Sequence, residues 1–532
     1  RFDIAATLGW TGRYENMNNM RVSTNGGLVT ENWFDLNASR YTPSSTLQRM
    51  ELLKTGYMGT LSLGWDNYLF LELTGRQERS STLKDQSFFY PSANLSFLFT
   101  QAFHMPSWWN YGKLRLSYGI VGNAPETYTA NIVYEQGSDN GFTWNTIPSS
   151  WGNADIRPEK KYEYEIGLES KFLNNRLGID VSYYNNRVKD QILSTPQPST
   201  SGVKNVLMNV GEVANHGWDI SISATPILTR DFRWDLTANY GVYKNKVVKL
   251  ADGVPYLEIL NSGGSGIKIQ AVEGQPMGDI YAQVPQVNEN GEYLVSDKGL
   301  YLNQTELQKV GNINPAGVGG LFNSFSYKNV FLDFSIDFRI GGDVINEMNQ
   351  YATAVGLTPE SLKYRDTEHG GLSYYYPGDN NSSGIPVQVD PSTGAGPNGE
   401  IIYHDGIILP GVVASTGERN TRIIPAGYYY NTTYNWGTEA EQLTYRHSVF
   451  DNSYVKLREL TIGYQFPEKM ISKLGLGRLS VSVFGRNLFY FYKALKNYDA
   501  ESSVGTSWAN QATVGSSTTA TRSFGVSLRA SF

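Results

Sequence analysis

The sequence predicts an all-β protein, an antiparallel transmembrane β-barrel that contributes about 14 strands. Three observations support this fold class. Apolar residues alternate with polar or small ones along most strand-like stretches, the connections between these stretches are alternately short and long, and no window holds about 18 consecutive apolar residues. A transmembrane barrel has short turns on one side of the membrane and long loops on the other. A soluble sandwich gives no reason for that alternation.

The composition of the 532-residue chain fits this prediction. Mean hydropathy is −0.37 and aromatic residues make up 13%, which a barrel permits because only half of each strand faces lipid. Lys and Arg number 44 against 50 Asp and Glu, giving a net charge of −6, so no nucleic-acid partner is expected. The chain has no cysteine, which excludes disulfides and thiolate metal sites. Because Arg1-Phe-Asp-Ile4 is already strand-like, we expect an exported precursor to carry a leader before it.

The first half of the chain reads as successive hairpins. Residues 2–10 alternate from Phe2 to Trp10, and Asp66-Asn67 is a two-residue turn signal between strands over 57–65 and 69–76. Residues 173–176 form a second turn between two alternating stretches. Long connections, expected to be extracellular, are predicted over 14–45, 79–91, 122–160 and 191–213.

The second half continues the pattern. Short turns are expected at 229–231 and at Lys328-Asn329, and Val455 and Leu457 are out of phase with Leu460, which predicts a β-bulge near Arg458. Residues 467–474 suggest one helical turn. The remaining long connections are predicted over 249–316, 342–452 and 491–521.

The last stretch places Phe524, Val526, Leu528 and Phe532 on one face of a strand that ends the sequence on an aromatic residue. An open soluble sheet rarely ends on a bare hydrophobic strand, since its edge invites aggregation. These four residues resemble a barrel-assembly signal, and we expect them to face outer-membrane lipid.

Charged residues on the opposite strand faces are expected to line the lumen. An Arg or Lys facing the bilayer midplane would cost about 2–4 kcal/mol, whereas an inward charge meets water. The predicted lumen-lining residues are Arg115, Glu165, Glu169, Asp235, Asp337 and Arg339.

Aromatic residues in the long connections are the candidates for contact with substrate. Flat apolar rings with polar tips suit sugar rings or peptide side chains. The alternative is that these rings pack the loops together or against a partner. The candidates are Trp144, Trp151, Tyr374, Tyr375, Tyr376, Tyr428, Tyr429, Tyr430 and Trp436.

The sequence contains no convincing catalytic or metal-binding set. The five histidines are scattered without ligand spacing, and His404-Asp405 alone is weak evidence for a general base. Asp379-Asn-Asn381 could bind calcium, although a plain turn explains it better. We therefore expect neither an enzyme nor a cofactor or metal site.

Several stretches resemble the SusC/RagA family of TonB-dependent outer-membrane transporters of Bacteroidetes. In one of them, Asn497-Tyr-Asp-Ala-Glu501, Ala500 replaces the proline that is usual in the family. The stretches are Tyr111-Gly-Lys-Leu-Arg-Leu-Ser-Tyr-Gly-Ile-Val-Gly-Asn123, Ile156-Arg-Pro-Glu-Lys-Lys-Tyr-Glu-Tyr-Glu-Ile-Gly167, Asn175-Arg-Leu-Gly-Ile-Asp-Val-Ser-Tyr-Tyr184, Gly211-Glu-Val-Ala-Asn-His-Gly-Trp218, Tyr454-Val-Lys-Leu-Arg-Glu-Leu460, Gly485-Arg-Asn-Leu-Phe489 and Asn497-Tyr-Asp-Ala-Glu501.

This resemblance implies a barrel of about 22 strands with a plugged lumen, a SusD-like lipoprotein over its outer face, and import of an oligosaccharide or peptide driven by the TonB complex. On that basis residues 1–532 are expected to be the C-terminal part of the barrel, without the plug and the TonB-binding segment. Import of a glycan is favoured over import of a peptide. A passive porin-like or adhesion barrel is the alternative.

Overall fold

The computed structural model describes the chain except for residues 85–86, 140–141, 263–265, 379–383, 436–443, 473–474, 504, 506, 516–519 and 532. The chain divides into two compact units. The first comprises Arg1–Ile220 with Lys244–Pro255, and the second comprises Ser221–Tyr243 with Tyr256–Phe532.

Within the described residues, fourteen strands form one sheet in which each strand is hydrogen-bonded to the next one along the chain. This neighbour-to-neighbour order is the topology that an up-and-down barrel wall requires. The strands are β1 (Phe2–Leu28), β2 (Ser39–Trp65), β3 (Leu69–Ser80), β4 (Ser87–Phe97), β5 (Trp109–Asn123), β6 (Glu159–Phe172), β7 (Leu177–Lys189), β8 (Glu212–Leu228), β9 (Phe232–Lys249), β10 (Gly317–Tyr327), β11 (Val330–Ile340), β12 (Tyr454–Gln465), β13 (Arg478–Lys493) and β14 (Ser523–Ser531).

The short turns of the sheet use backbone conformations that their residues tolerate. Asp66 and Asn67 both have positive φ, at 46° and 58°, which is the conformation of a tight hairpin turn that Asn and Asp accept best. The five long connections from 122–160 onward agree with the strand ends to within a few residues; β9, for example, ends at Lys249 and β10 begins at Gly317.

Two predicted connections were too long. β1 and β2 are 27 residues each and pair in continuous register from Phe2↔Trp65 to Ser23↔Ser44, so most of the predicted 14–45 loop is strand. The predicted 79–91 loop is also mostly strand, because β3 runs to Ser80 and β4 begins at Ser87. A hairpin that extends beyond the membrane needs no apolar face. Polar pairs such as Asn16↔Glu51 therefore continue the strand pairing, although the sequence shows no alternation of apolar and polar residues there.

The long connections are folded and contain most of the remaining structure. In the described part of the chain, four α-helices lie outside the sheet, α1 (Phe99–Ala102), α2 (Glu347–Ala354), α3 (Ala426–Tyr434) and α4 (Glu468–Ile471). The 3-10 helices are Leu36–Ala38, Ser199–Ser201, Pro359–Leu362, Tyr445–Ser448 and Asn510–Ala512. The short strands are Glu135–Asp139, Phe142–Thr146, Ser150–Trp151, Ile192–Pro196, Asn205–Asn209, Tyr256–Ser262, Ile267–Val272, Asp279–Ala282, Leu294–Val295, Gln308–Asn312, Asp343–Ile345, Leu372–Tyr375, Val387–Gln388, Tyr403–Ile407, Val412–Val413, Ile424–Pro425 and Val449–Asp451.

The main hydrophobic core of the second unit lies in these connections. One cluster combines Ile269 and Ile280 from the connection after β9, Ile345 and Tyr445 from the connection after β11, and Ala512 from the connection after β13. Three long connections therefore fold as a single packed body, because each contributes apolar side chains to the same core.

The sheet strands, by contrast, expose large apolar side chains on one face. Leu8 is 89% exposed, and Phe524, Val526 and Leu528 on β14 are also exposed. Apolar surface of this kind is unusual on a protein in water and is expected where strands contact lipid. Among the described residues, no helix is long and apolar enough to cross a membrane.

Candidate functional site

The β-bulge predicted near Arg458 is confirmed, and it organises the candidate site in the second unit. On the β11 side, Ser335 pairs with Glu459 and Ile336 with Leu457, so Arg458 has no partner in the ladder. The extra residue lets the Arg458 side chain reach the face that carries Asp337, as bulges commonly re-aim a side chain. The Arg458 Nε lies 2.6 Å from Asp337 Oδ2.

Arg458 also binds Glu501, in the connection that follows β13. Its NH1 and NH2 groups donate to Glu501 Oε2 at 2.7 Å and to Oε1 at 2.6 Å, and Lys456 Nζ donates to Oε2 at 2.6 Å. The Lys456 side chain is only 2% exposed. We call Asp337, Lys456, Arg458 and Glu501 the charge clamp, because charge-assisted and bidentate bonds are the strong class of hydrogen bond.

The charge clamp changes the acidity of Glu501. Burial alone would raise the pKa of this carboxyl, but hydrogen bonds from Arg458 and Lys456 outweigh burial and lower the pKa to about 2. Glu501 is therefore an anion at any physiological pH, and the clamp stays intact.

Further bonds hold the segment 497–501 in place. Tyr490 OH donates to Asp499 Oδ1 at 2.8 Å, Lys493 Nζ donates to the Tyr498 carbonyl at 2.7 Å, and Asn452 Nδ2 donates to the Ala500 carbonyl at 2.9 Å. The family-like motif at 497–501 is thus attached to β12 and β13 through both its side chains and its backbone.

A cavity of about 300 Å³ lies beside the charge clamp, at the long-connection ends of β10, β11 and β12. Its lining includes Tyr243, Arg339, Tyr454, Glu501 and Trp508. Arg339 Nε donates to the Gly341 carbonyl at 3.2 Å, and its NH2 group donates to the Ile313 carbonyl at 3.1 Å. A cation, a carboxylate and aromatic rings therefore meet around one cavity, which is typical of a site for a polar organic ligand.

The predicted lumen charges share one face of the sheet within each unit. In the first unit, Ser117 pairs with Glu165 and Lys113 with Glu169, which places both glutamates on the face of Arg115. Arg115 binds Asp180 through two hydrogen bonds of 3.1 and 2.6 Å.

In the second unit, the registers Asn239↔Gly320 and Gly320↔Asp337 put Asp235 on the face of Asp337. Asp235 accepts from Thr225 Oγ1 at 2.7 Å and pairs with Arg233. The shared faces follow from the registers, and their exposure to a lumen remains a prediction.

Three of the aromatic candidates pack inside the long connections. Tyr374, Tyr376 and Tyr430 are 1%, 5% and 7% exposed. Tyr374 OH donates to Asp405 at 3.1 Å, and Tyr430 OH donates to the Glu360 carbonyl at 2.8 Å. The burial of these rings favours the packing alternative, and their contact with substrate stays a prediction.

The other candidates differ in exposure. Trp144 is exposed, whereas Trp151 is half-buried and packs edge-on against Tyr134 with the ring centres 5.9 Å apart. Tyr375, Tyr428 and Tyr429 are half-buried. Their role in substrate contact stays a prediction. Trp436, Phe532 and the segment 379–381 lie outside the described residues.

His404 and Asp405 do not form a relay. His404 Nδ1 and Ser373 Oγ are 2.8 Å apart, but Asp405 bonds to Tyr374 on the other side of the strand. Within the described part of the chain, no group of three or more His, Cys, Asp or Glu residues could hold a metal ion.

The prediction of lumen residues missed Lys456, Arg458 and Glu501. Two signals were available, namely the bulge and the Asn497-Tyr-Asp-Ala-Glu501 motif. Neither indicates that Arg458 and Glu501 are partners, because a contact across 43 residues leaves no local pattern.

Comparison with known proteins gives a consistent result. Residues 1–286 match the family model described as TonB dependent receptor-like, beta-barrel. TonB-dependent receptor P3 of Formosa agariphila is 24% identical over 494 residues, covering 84% of this chain and 42% of the relative. TonB-dependent receptor SusC of Bacteroides thetaiotaomicron is 30% identical over 247 residues, covering 43% of this chain and 24% of the relative.

A structural comparison supports the same fold. A structure described as the RagAB peptide transporter superposes with a TM-score of 0.67 at 18% identity and covers 94% of this chain and 51% of the matched chain. The present chain thus spans about half or less of the length of these relatives.

Proposed function

Because this chain belongs to the TonB-dependent receptor-like β-barrel family, we propose that it acts in the active import of a nutrient across the outer membrane. Members of this family are outer-membrane transporters and receptors, not enzymes, and the chain is an outer-membrane protein. The observation that carries the proposal is the family match over residues 1–286, more than half of the chain. The transported solute is an oligosaccharide or an oligopeptide, with the oligosaccharide favoured.

The proposed energy source and partner come from the relatives. The matched relatives are named TonB-dependent receptors. We extend this dependence on TonB to the present protein, and TonB would engage a part of the transporter outside the present chain. A SusD-like lipoprotein is the proposed partner at the extracellular side. The structure described as the RagAB peptide transporter has the same fold as this chain, which supports the proposal that this fold can carry such a partner.

The long connections of the second unit are proposed to hold the solute or the lipoprotein. Their shared core supports this role, because Ile280, Ile345 and Ala512 make the three connections one packed body. A packed platform loses less conformational entropy on binding than separate flexible loops would.

The test is uptake of labelled oligosaccharides and oligopeptides by cells that carry either the native protein or a variant in which 342–452 is replaced by a short Gly-Ser linker. We expect the variant to insert but to lose uptake, or capture of the lipoprotein, or both. Cells without TonB provide the matched control and should also lose uptake. Unchanged uptake and unchanged partner capture in the variant would reject the proposal, and uptake that persists without TonB would favour the porin-like alternative.

A further inference from the structure

The cavity beside the charge clamp holds a cation, Arg339, that has no direct ion pair among the described residues. Arg339 is half-buried, and its two hydrogen bonds go to backbone carbonyls. Among the described residues, no carboxylate oxygen lies within 4.0 Å of its guanidinium. A guanidinium has five N–H donors in a planar fork, so donors remain for another acceptor.

The acids of the neighbourhood are already occupied. Glu501 and Asp337 are neutralised by Lys456 and Arg458 in the charge clamp. Asp343 and Asp451 attract Arg339 electrostatically but form no ion pair with it within 4.0 Å. Asp343 accepts from the Asn312 N–H at 2.9 Å, and Asp451 accepts from the Ser453 N–H at 2.6 Å. The cavity therefore presents Arg339 as a cation without a direct carboxylate partner, and its remaining N–H groups can donate to a ligand.

The rest of the lining suits an organic anion better than a bare ion. The Trp508 ring is 38% exposed and contributes a flat apolar wall, and Tyr243 donates to Asn314 at 3.1 Å, which fixes a second polar wall. A ring of this kind stacks on a sugar or an apolar side chain while its rim stays polar. A volume of about 300 Å³ accommodates one residue of an oligomer.

We propose that this cavity is a recognition subsite for a carboxylate group of the transported solute, with Arg339 as the residue that pairs with it. Arginine recognises carboxylates through two parallel N–H bonds, which gives strength and orientation together. The carboxylate belongs either to the C-terminus of an oligopeptide or to a uronic acid of an oligosaccharide. This inference rests on the proposed function, because import supplies the reason for a solute to reach the cavity.

A purely structural role for Arg339 is the competing explanation. Its bonds to the Gly341 and Ile313 carbonyls hold the turn after β11, where Gly341 and Gly342 have φ of 67° and 78°. Loss of that role would lower thermal stability without affecting the choice between acidic and neutral ligands. Ligand discrimination therefore separates the two explanations.

The experiment measures equilibrium binding to the intact protein, extracted from the outer membrane in mild detergent. Two ligand pairs are compared, an oligopeptide with a free or an amidated C-terminus, and an oligouronate with free or methyl-esterified carboxyls. We expect the acidic member of one pair to bind about tenfold or more tightly than its neutral form, as expected for hydrogen bonds to a charged group. The pair that discriminates identifies the source of the carboxylate.

Three variants complete the design. Arg339→Gln should abolish the preference for the acid, Arg339→Lys should retain part of it, and Arg230→Gln, which removes an exposed charge at a short turn, should leave it unchanged. Equal binding of acid and neutral forms by the native protein would overturn the inference, and so would full discrimination by Arg339→Gln. If the protein prefers the acidic ligand but shows no TonB-driven uptake, the import proposal is rejected and the subsite is kept. If uptake occurs but acidic and neutral ligands bind equally, import is kept and the subsite is rejected.

Discussion

Replacing Glu501 by Gln should destabilise the second unit strongly, because it leaves a buried ammonium without its anion. Lys456 Nζ lies 2.6 Å from Glu501, and its other described neighbour is the Tyr490 ring, with the ring centre 4.8 Å away. Breaking a buried ion pair by removing one partner costs about 3–5 kcal/mol. Since the Glu501 side chain is 32% exposed, solvent screening reduces the expected cost to about 2–4 kcal/mol.

The same geometry predicts an order among variants. Lys456→Met should cost less than Glu501→Gln, because Glu501 then keeps its two bonds from Arg458 and no buried charge is left unpaired. The double variant should lose less than the sum of the two single variants, since both remove the same interaction.

The assay is reversible unfolding in detergent by denaturant, combined with hydrogen exchange over 494–503. Glu459→Gln is the matched control, because the Glu459–Arg486 pair on the same hairpin is more exposed, at 40% and 57%, and such a pair contributes about 0–1 kcal/mol. If Lys456→Met costs as much as Glu501→Gln, or if Glu501→Gln costs no more than the control, the reasoning from burial is wrong.

Three further predictions concern separate parts of the chain. Because the pKa of Glu501 is lowered to about 2, the stability that this carboxylate provides should be complete above its ordinary pKa of 4.5 and lost as the pH falls through 2, and melting curves of native and Glu501→Gln protein should converge over that interval. Tyr374→Phe should destabilise the connection after β11 by about 1–3 kcal/mol, since it removes the 3.1 Å bond to Asp405, and unchanged hydrogen exchange over 372–375 would contradict this. Deleting 524–532 should prevent membrane insertion, which fractionation of outer membranes tests directly; normal insertion would refute the proposed assembly signal.

The sheet was predictable from sequence wherever one strand face must be apolar. The connections 249–316 and 342–452 were bounded to within about two residues, because alternation stops where a strand leaves the lipid-facing region. The same criterion failed for β1 and β2, whose outer parts pair Arg13 with Lys54 and Asn18 with Arg49. Backbone hydrogen bonds form that ladder, and backbone bonds leave no pattern in the side chains.

The site was only half predictable for a related reason. The bulge was predictable because the alternation of apolar and polar residues changes phase between Leu457 and Leu460, which is a local feature of the sequence. The partners of Arg458 are Asp337 and Glu501, at separations of 121 and 43 residues. Which distant carboxylates a re-aimed arginine meets depends on strand register and on the path of a connection, and neither can be read from one sequence.

The tyrosine clusters show a second limit of sequence reasoning. Tyr374 and Tyr430 are buried although they lie in connections that a barrel exposes to water. Composition cannot separate a ring that packs from a ring that binds, because both uses favour a flat apolar face with a hydroxyl. The deciding fact is that these connections build their own core, which the lengths of 249–316 and 342–452 allow but do not require.

Selectivity should therefore depend on which charges remain unpaired rather than on how many charges line a surface. Asp337 and Arg458 satisfy each other, as do Lys456 and Glu501, and a neutralised pair at about 2.6 Å exerts little field on a passing solute. Arg339 lies next to them on the same strand as Asp337 and bonds only to backbone carbonyls among the described residues. The charge clamp would then serve the cavity indirectly, because it engages Glu501, a carboxylate that lines the same cavity as Arg339.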